Sequence, residues 1–446
     1  MVSQMVLESS NSGVMLWHES ARLIPGGNGL LSKRPDRYAP DIWPTYFSKS
    51  SGVEVVDLDG NLFIDMAQMG IGTAILGYAN TELTEAVVSA ARKGVNCTLN
   101  APEEVYLAER LLELNPFAGG VKFARSGGEA MAMAVRIARA TSGRSKVAFS
   151  GYHGWMDWYL AANLETKNNL SQHLLPGLTP LGIPVGLAGS AIPFTYNDVD
   201  DFKKAISEHP DIGVICIEGA RYDFPNIDFL SEITKIAKKN GIVVISDEIT
   251  SGWRMTDGGV YKLNGFEPDI VVYAKALGGG YAISAVVGRK EVMDSAQETF
   301  ISSTMWTERI GFVAALKTID ILTANKVWEH LIEIGTKIGD GWKRLADSHG
   351  IDLEITEFKP LISFKLKYGD ENNQIMTLFT QEMLKRGYLA ASSIYVSMAH
   401  SVDIVDRYLQ SVDEVFAIIR KAIDAENVKN LLETAPRSDA FVRLTK

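Results

Sequence analysis

One lysine in this sequence lies in surroundings that are unusual for a charged residue. Lys275 follows the apolar run DIVVY at 269–273 and precedes three consecutive glycines, Gly278 to Gly280. Small and apolar residues flank it on both sides, a setting that suits an amine for Schiff-base chemistry with a carbonyl group. The glycines would let the backbone approach a bound ring or phosphate closely.

A carboxylate pair follows a second apolar run. Asp247 and Glu248 come directly after GIVVIS at 241–246. Acidic residues at such a place are more often helix caps or polar loop residues than functional groups. In open α/β sheets, however, ligands bind beyond the carboxyl ends of the strands, so Asp247 is a candidate site residue.

A third candidate is a helix start that contains two glycines. Ser126, Gly127, Gly128 and Glu129 follow the strand-like VKFA at 121–124 and lead into AMAMAVRIARA. The serine and the glutamate have the S-x-x-E spacing of a capping box. The glycines leave backbone N–H groups unobstructed at the positive end of the helix dipole, which favours phosphate binding.

An aromatic residue completes the set. Tyr152 lies in GYHGW at 151–155, directly after KVAFS, and its ring could stack on a flat ligand or serve a turn with core aromatics. A lysine, a strand-end carboxylate, a phosphate-ready helix start and an aromatic ring are together the parts that hold pyridoxal phosphate (PLP). The lysine would form a Schiff base with it, and the carboxylate would keep its pyridine nitrogen protonated.

These segments are predicted to be positioned by alternating helices and strands. Helical periodicity occurs at 81–93, 103–114, 128–141, 199–208, 228–239 and 307–323, and short apolar strands occur at 121–124, 146–150, 213–217, 242–246, 269–273 and 283–288. The alternation predicts an α/β fold whose mostly parallel sheet is covered on both faces.

The two ends of the chain are predicted to form a smaller unit. A hairpin is predicted at 53–66, and after about 325 come two longer helical stretches, a strand near 361–367 and a helix at 371–386. We therefore expect an N-terminal segment at 1–75 that joins the small domain, a large PLP-binding domain at 76–325 and a C-terminal small domain at 326–446.

Composition excludes several functional classes. The 446 residues are 46% hydrophobic and 22% charged, as in ordinary globular proteins, and the net charge of −10 gives no general attraction for nucleic acid or anionic membrane. No run of about 18 apolar residues predicts a membrane span. With only two cysteines and no signal-peptide pattern over residues 1–25, we expect a cytoplasmic protein.

At the residues named above, the sequence resembles the class III aminotransferases of PLP fold type I, and within them the glutamate-1-semialdehyde aminomutase-like branch. The resemblance extends from about Leu23 to Ile319 and includes LIPGGNG, VVDLDGNLFID, ARSGGEAMAMAVRIARATSGRSKVAFSGYHG, ISDEITSGWR and PDIVVYAKALGGGYAISAVVGRKEVM. It implies a large domain with a mostly parallel, doubly wound sheet and a smaller α+β domain built from both chain ends.

The resemblance also implies a role for each site residue. Lys275 would be the Schiff-base lysine, and Asp247 would be the partner of the pyridine nitrogen. The other cofactor contacts would come from Ser126, Gly127 and Gly128 at the phosphate, Tyr152 on the ring, Glu218 near the ring, and Thr304 at the phosphate of the neighbouring subunit. The contact from Thr304 implies a homodimer with shared active sites.

Several positions depart from the family pattern near the expected substrate. Gly128 stands where a hydroxyl-bearing residue is usual, and MWTERIG follows Thr304 in place of a run of small residues. Near the N-terminus, Arg34 is the nearest counterpart of a carboxylate-binding arginine in the aminomutases. Arg34, Trp306 and Tyr281 are therefore candidates for substrate contacts.

The sequence as a whole predicts an aminotransferase that moves an amino group from a small-molecule amino donor to a carbonyl acceptor. An aminomutase or a racemase with the same cofactor stays open, as does a non-catalytic binding protein on the same fold. A nicotinamide oxidoreductase is disfavoured because no strand is followed by GxGxxG with an acidic residue about twenty positions further on. The sequence has no GxSxG motif, and its seven histidines show no paired spacing for a metal.

Overall fold

The computed structural model describes residues 11–441, and fourteen strands in that range form three sheets. In chain order the strands are β1 (Phe47–Ser51), β2 (Glu54–Asp57), β3 (Leu62–Met66), β4 (Gly120–Ala124), β5 (Lys146–Ser150), β6 (Ala191–Pro193), β7 (Ile212–Glu218), β8 (Val243–Asp247), β9 (Ile270–Tyr273), β10 (Ser284–Gly288), β11 (Leu353–Ile355), β12 (Leu361–Leu366), β13 (Tyr388–Ala390) and β14 (Ser393–Tyr395).

Twelve α-helices in the same range surround these sheets. They are α1 (Ser12–Leu23), α2 (Thr81–Arg92), α3 (Glu103–Leu114), α4 (Gly127–Ser142), α5 (Asp157–Leu160), α6 (Val199–Glu208), α7 (Ile227–Asn240), α8 (Lys290–Met293), α9 (Arg309–Ala324), α10 (Val327–His349), α11 (Asn372–Leu384) and α12 (Val402–Asp424). No helix within the described range is long and apolar enough to cross a membrane.

The largest sheet has seven strands in the order β4-β10-β9-β8-β7-β5-β6. Strands β5 to β9 pair in parallel where they are neighbours, whereas β10 runs antiparallel to both of its neighbours. Each helix and strand predicted between residues 81 and 323 has a counterpart whose ends differ by no more than two residues. The predicted α/β fold with a mostly parallel sheet is therefore confirmed.

Both faces of this sheet are buried. Along β5, Val147 and Phe149 belong to one apolar cluster, whereas Ala148 between them belongs to the other. The same alternation occurs in β9, where Val271 faces the cluster opposite to that of Val272. Because side chains alternate between the faces of a strand, continuous apolar runs of this kind indicate a sheet with helices on both sides.

Helix α9 begins two residues later than the sequence periodicity predicts. Residues Thr304–Thr307 form a separate 3-10 turn, and the side chain of Glu308 then caps the helix by accepting the N–H groups of Ile310 and Gly311 at 2.5 and 3.3 Å. A carboxylate at this position satisfies N–H groups that have no partner inside the helix. The apolar period alone did not reveal that cap.

Residues from both ends of the chain form the second sheet, in the order β1-β2-β3-β13. The predicted hairpin is present, because β2 pairs antiparallel with β3. Strand β13 then joins β3 in parallel, with Tyr388 opposite Ile64. The third sheet, β11-β12-β14, follows helix α10, and α12 comes after it in the chain. Residues 1–10 and 442–446 of the predicted domain ranges lie outside the described residues.

Candidate active site

The candidate residues meet at the carboxyl edge of the large sheet. Asp247 is the last residue of β8, and its register partner on β7 is Glu218. The neighbouring strand β9 ends at Tyr273, two residues before Lys275. Three adjacent parallel strands therefore deliver an amine and two carboxylates to the same edge, which is where open α/β sheets bind ligands.

Asp247 is held in a buried position by a histidine. Its side chain is 4% exposed, and its Oδ2 atom lies 2.8 Å from Nδ1 of His153, which is fully buried. The backbone N–H of Ile249 donates to Oδ1 at 3.0 Å, and Nε2 of His153 lies 3.2 Å from the carbonyl oxygen of Ser150. Each oxygen of the carboxylate thus has a close partner, which fixes its orientation at the end of the strand.

Lys275 occupies a strained backbone position. Its φ of 45° lies in the left-handed region, which costs a residue with a side chain about 1–3 kcal/mol. It opens the 3-10 turn Lys275–Gly278, which bends the chain sharply away from β9. The side chain is partly buried, and Nζ donates to Oγ1 of Thr250 at 2.9 Å. The turn and the threonine together direct the amine to one place beyond the sheet edge.

The capping box predicted at the start of α4 is present. Ser126 caps the helix, and the Glu129 side chain accepts the backbone N–H of Ser126 at 2.9 Å. A Cβ atom on Gly127 would lie 2.9 Å from Ile249, and one on Gly154 would lie 2.9 Å from the Cα of Gly128. The absence of side chains therefore lets two neighbouring loops approach the helix N-terminus closely, as a phosphate cradle requires.

Tyr152 connects the aromatic segment to the carboxylate on β7. Its backbone N–H donates to Oε2 of Glu218 at 3.2 Å, and its half-buried ring meets that of Tyr159 edge to face. The guanidinium of Arg221 lies 5.8 Å from the Tyr152 ring centroid. Burial raises the pKa of Glu218, although Arg221 acts in the opposite direction.

Thr304, predicted at the phosphate, and the three predicted substrate residues are spread more widely. Thr304 is exposed at the start of its 3-10 turn, and the guanidinium of Arg125 holds that turn beside α4 by donating to the carbonyl of Met305 at 2.6 Å. Trp306 and Tyr281 are half-buried. Arg34 is 4% exposed, and Asp36 accepts its Nε and Nη2 atoms at 2.9 and 2.6 Å.

Four further residues belong to this site, although the sequence reasoning did not single them out. They are His153, Thr250, Arg221 and Tyr395. His153 and Thr250 stand beside quoted motif residues, so their polarity within apolar segments was a usable signal. Tyr395 had no such sequence signal, because it comes from the third sheet, far from these motifs in the chain. Its ring centroid nevertheless lies 5.9 Å from Nζ of Lys275.

Positive charge is concentrated around Tyr395. The Arg254 guanidinium lies 5.1 Å from its ring centroid. Burial by itself would raise the pKa of the Tyr395 hydroxyl, but Lys275, Arg221 and Arg254 outweigh it and lower that pKa. Burial lowers the pKa of Arg254 to about 10. This part of the site therefore favours a negatively charged group.

The residues present fit PLP. An amine at a directed position, a buried carboxylate with two close partners, and a glycine-bearing helix start match the aldehyde, pyridine nitrogen and phosphate of that cofactor. Lys275 would hold the aldehyde carbon, Asp247 the ring nitrogen, and Ser126, Gly127 and Gly128 the phosphate. The close contacts that a Cβ would make at Gly127 indicate that the cradle depends on glycine.

Comparison with known proteins identifies relatives of this chain. The family described as aminotransferase class-III matches residues 38–412. The 3-aminobutyryl-CoA aminotransferase of Cloacimonas acidaminovorans (strain Evry) is 30% identical over 420 residues, covering 90% of this chain and 97% of that protein. The 2'-deamino-2'-hydroxyneamine transaminase of Streptomyces kanamyceticus is 28% identical over 405 residues, again covering 90% and 97%.

Solved structures share the fold at lower identity. The PLP form of the FumI protein from Sphingopyxis sp. MTA144 matches with a TM-score of 0.85 and 23% identity, covering 96% of this chain and 99% of that one. A glutamate-1-semialdehyde aminomutase from Pseudomonas aeruginosa PAO1 matches with a TM-score of 0.77 and 16% identity, covering 92% and 94%. The aminomutase is thus a distant structural neighbour. The family match spans most of the chain, and this protein therefore belongs to the class III aminotransferases, which are PLP-dependent enzymes.

Proposed function

We propose that this aminotransferase works in two half-reactions in which Lys275 is the catalytic acid and base and Asp247 is the partner of the cofactor's ring nitrogen. The observation that carries the proposal is the placement of both groups at the ends of adjacent strands, with the carboxylate buried and held by His153 at 2.8 Å. The amino donor and the carbonyl acceptor would use the same site in turn.

The residues would divide the work between proton transfer and binding. When bound, PLP supplies an electron sink for negative charge at the carbon that bears the amino group. Nζ of Lys275, once displaced by the substrate's amine, would take a proton from that carbon and return one to the cofactor's exocyclic carbon. Thr250, which accepts a hydrogen bond from Nζ at 2.9 Å, would keep the amine within reach.

Asp247 would make that proton removal easier without touching the substrate. Its carboxylate favours a protonated ring nitrogen, because an opposite charge at hydrogen-bond distance stabilises the cation. His153 keeps the carboxylate oriented, so we assign it a positioning role. Tyr152 would stack on the ring, and Glu218 would stand beside it on the neighbouring strand.

The phosphate would bind at the start of α4 and, in the proposed homodimer, to Thr304 of a second copy. Large apolar side chains near these two segments are exposed: Trp155, beside Gly128, is 67% exposed, and Phe300 and Met305, close to Thr304 in sequence, are 85 and 55% exposed. A contiguous exposed apolar surface would be suited to bind another protein, and a second copy would cover these residues. We also propose a cytoplasmic location and three domain ranges, 1–75, 76–325 and 326–446.

Subunit mixing tests the shared site. Lys275→Ala chains and Thr304→Glu chains, both with little activity, are exchanged, so that one site of each heterodimer carries both lesions and the other carries neither. Activity should rise to about a quarter of wild type at equal mixing, since half of the dimers have one intact site. No gain despite exchange demonstrated with differently labelled chains would contradict the dimer model.

An aminomutase or racemase is the second candidate, because the sequence motifs resemble those of the aminomutase branch. The two types differ in what one substrate alone can do. A transaminase given an amino donor without an acceptor should lose the cofactor's visible absorbance once, release one equivalent of carbonyl product and stop. The relative acting on 3-aminobutyryl-CoA suggests that compound as one donor to screen. Sustained turnover of a lone amino compound to an isomer, with no carbonyl released, would favour the alternative.

A further inference from the structure

Arg221 lies in a cleft next to the proposed cofactor site. It follows β7 by three residues, and its side chain is 29% exposed. The cleft has a volume of about 250 Å³, and its lining includes Gly151, His173, Tyr196, Glu218, Tyr222 and Asp223. We call it the Arg221 cleft. Because Gly151 precedes Tyr152 and Glu218 accepts the Tyr152 N–H, the cleft adjoins the residues proposed to face the cofactor ring.

The guanidinium in this cleft is held in place without using its hydrogen-bond donors. It lies 5.8 and 5.4 Å from the ring centroids of Tyr152 and Tyr222, distances at which a cation interacts with an aromatic face. The nearest carboxylate oxygen, Oε1 of Glu218, is 3.7 Å away, and no side chain or carbonyl among residues 11–441 accepts a hydrogen bond from it. Five donors in a fixed planar arrangement thus remain available to a ligand.

Arg34 provides the contrast. Its guanidinium is 4% exposed and forms a two-point pair with Asp36, at 2.9 and 2.6 Å. Such a pair uses the same donors that a substrate carboxylate would need. The arginine that the sequence suggested for carboxylate binding is therefore occupied by a protein carboxylate at hydrogen-bond distance, whereas Arg221 has only the 3.7 Å ion pair with Glu218.

Tyr395 extends this site toward Lys275. Its ring lies 5.9 Å from the lysine Nζ, and within the described chain its hydroxyl makes no hydrogen bond. The positive charges of Lys275, Arg221 and Arg254 lower the pKa of that hydroxyl. In addition, Nη1 of Arg254 is buried without a hydrogen-bond partner among the described residues. A buried donor left without a partner is costly, and an anion nearby would reduce that cost.

The negative charges that face the cleft do not cancel this excess. Glu218 already accepts the backbone N–H of Tyr152, and its Oε1 atom lies 3.7 Å from Arg221, beyond hydrogen-bond distance. Asp223 lines the cleft from an exposed position, where solvent screens its charge. Arg254 and Lys275 thus lie 5.1 and 5.9 Å from the centroid of the Tyr395 ring, and the charge of Arg221 acts on the Tyr395 hydroxyl as well.

We propose that Arg221 and Tyr395 bind a carboxylate of the substrate and thereby select anionic amino compounds over uncharged amines. The proposal rests on the proposed function, since it assigns the substrate's charged end to the Arg221 cleft beside the proposed cofactor site. Arg221 would pair with both carboxylate oxygens, and the Tyr395 hydroxyl would donate to one of them. The amino group would then point to Lys275, whose Nζ lies 5.9 Å from the centroid of the Tyr395 ring.

A kinetic test uses two matched pairs of donors: 3-aminobutanoate with 2-aminobutane, and 3-amino-3-phenylpropanoate with 1-phenylpropylamine. Loss of the cofactor's absorbance is followed in wild type, Arg221→Met, Arg221→Lys and Tyr395→Phe. For the carboxylates, Arg221→Met should lower kcat/KM by at least about 30-fold, Arg221→Lys by less, and Tyr395→Phe by about 3–10-fold. For the uncharged amines, each of the three variants should change kcat/KM by no more than about threefold. Equal losses for carboxylate and amine would overturn the proposal.

A binding test does not depend on turnover. Titration calorimetry on the holoenzyme compares 3-phenylpropanoate with 3-phenylpropanamide, which differ only in charge and hydrogen bonding. Wild type and the Arg34→Met control should prefer the carboxylate by at least about tenfold, and Arg221→Met should lose that preference. A preference that survives in Arg221→Met, or disappears in Arg34→Met, would overturn the assignment.

The two proposals fail in different ways. If no donor changes the cofactor's absorbance while calorimetry shows the expected preference, the proposed transamination is wrong and the carboxylate site stands. If donors react but neither test depends on Arg221, the carboxylate site is wrong and transamination stands. PLP affinity is also measured in the Arg221→Met apoprotein. If it falls as much as the affinity for the carboxylate, the proposal is contradicted, because the guanidinium would then serve the cofactor.

Discussion

The site has a cofactor side and a substrate side that differ in their hydrogen bonds. On the side that we assign to the cofactor, close hydrogen-bond partners hold Asp247, His153 and Ser126. On the side that we assign to the substrate, the described chain offers no hydrogen-bond partner to Arg221 or to the Tyr395 hydroxyl. The two sides lie on neighbouring elements, so solvent exposure alone does not explain the difference. A group that must orient one resident cofactor gains from being fixed in advance. A group that binds exchanging substrates must keep its donors free until they arrive.

The largest expected effect comes from removing the amine between the two sides. Lys275→Ala should abolish measurable turnover, while the protein folds and still binds PLP without a covalent bond, because the phosphate and ring contacts come from other elements. Borohydride reduction of the wild type, followed by peptide mapping, should place the cofactor on Lys275. A reduced adduct on any other lysine would contradict the assignment.

The second-largest effect tests the side of the site that we assign to the cofactor. Asp247→Asn should lower kcat by about 10²–10⁴-fold with a smaller change in PLP affinity, because an amide can hold the ring without stabilising its protonated nitrogen. Single-turnover kinetics and equilibrium titration with PLP measure the two quantities separately. Near-normal kcat would mean that the partner of the ring nitrogen lies elsewhere.

A smaller effect is expected where the contact with the cofactor is indirect. His153→Gln should lower kcat by about 10–100-fold, since residues that orient a functional group typically contribute that much. His349→Gln is the matched control, because His349 also pairs with a carboxylate, Asp413 at 2.6 Å, but on the exposed surface. Unchanged kcat in His153→Gln, or an equal loss in His349→Gln, would remove the positioning role.

The smallest effect separates helix capping from phosphate binding. Ser126→Ala and Ser401→Ala both remove an N-cap, at α4 and α12 respectively, and each should lower the free energy of unfolding by about 1 kcal/mol. Only Ser126→Ala should also weaken PLP binding, measured by titration of the apoprotein. If the two variants bind PLP equally well, Ser126 has only its structural role.

The large sheet and the strand-end residues could be predicted because both depend on local pattern. Buried strands read as apolar runs, and Asp247 and Lys275 interrupt such runs where the strands end. The predicted start of α9 was two residues too early. Glu308 caps the helix, but no change in the polarity of the sequence marks that position.

Contacts between distant segments could not be predicted in this way. Tyr395 belongs to a strand of three residues, too short for a period, and it reaches Lys275 only because the third sheet is placed there. Arg221 has no pattern of its own, and its importance depends on the absence of a partner, which only the folded structure shows. The pairing of Arg34 with Asp36 is likewise a property of geometry, although the two residues are close in sequence.

The parallel pairing of β3 with β13 has a consequence for the order in which the enzyme is completed. Residue 64 leaves the ribosome more than three hundred residues before its partner at 388, so this pairing closes a very long loop and must form late. Tyr395 lies just beyond β13. A nascent chain could therefore assemble the strand ends that carry Asp247 and Lys275 well before the tyrosine arrives, and the part of substrate selection that depends on Tyr395 would be added late in synthesis.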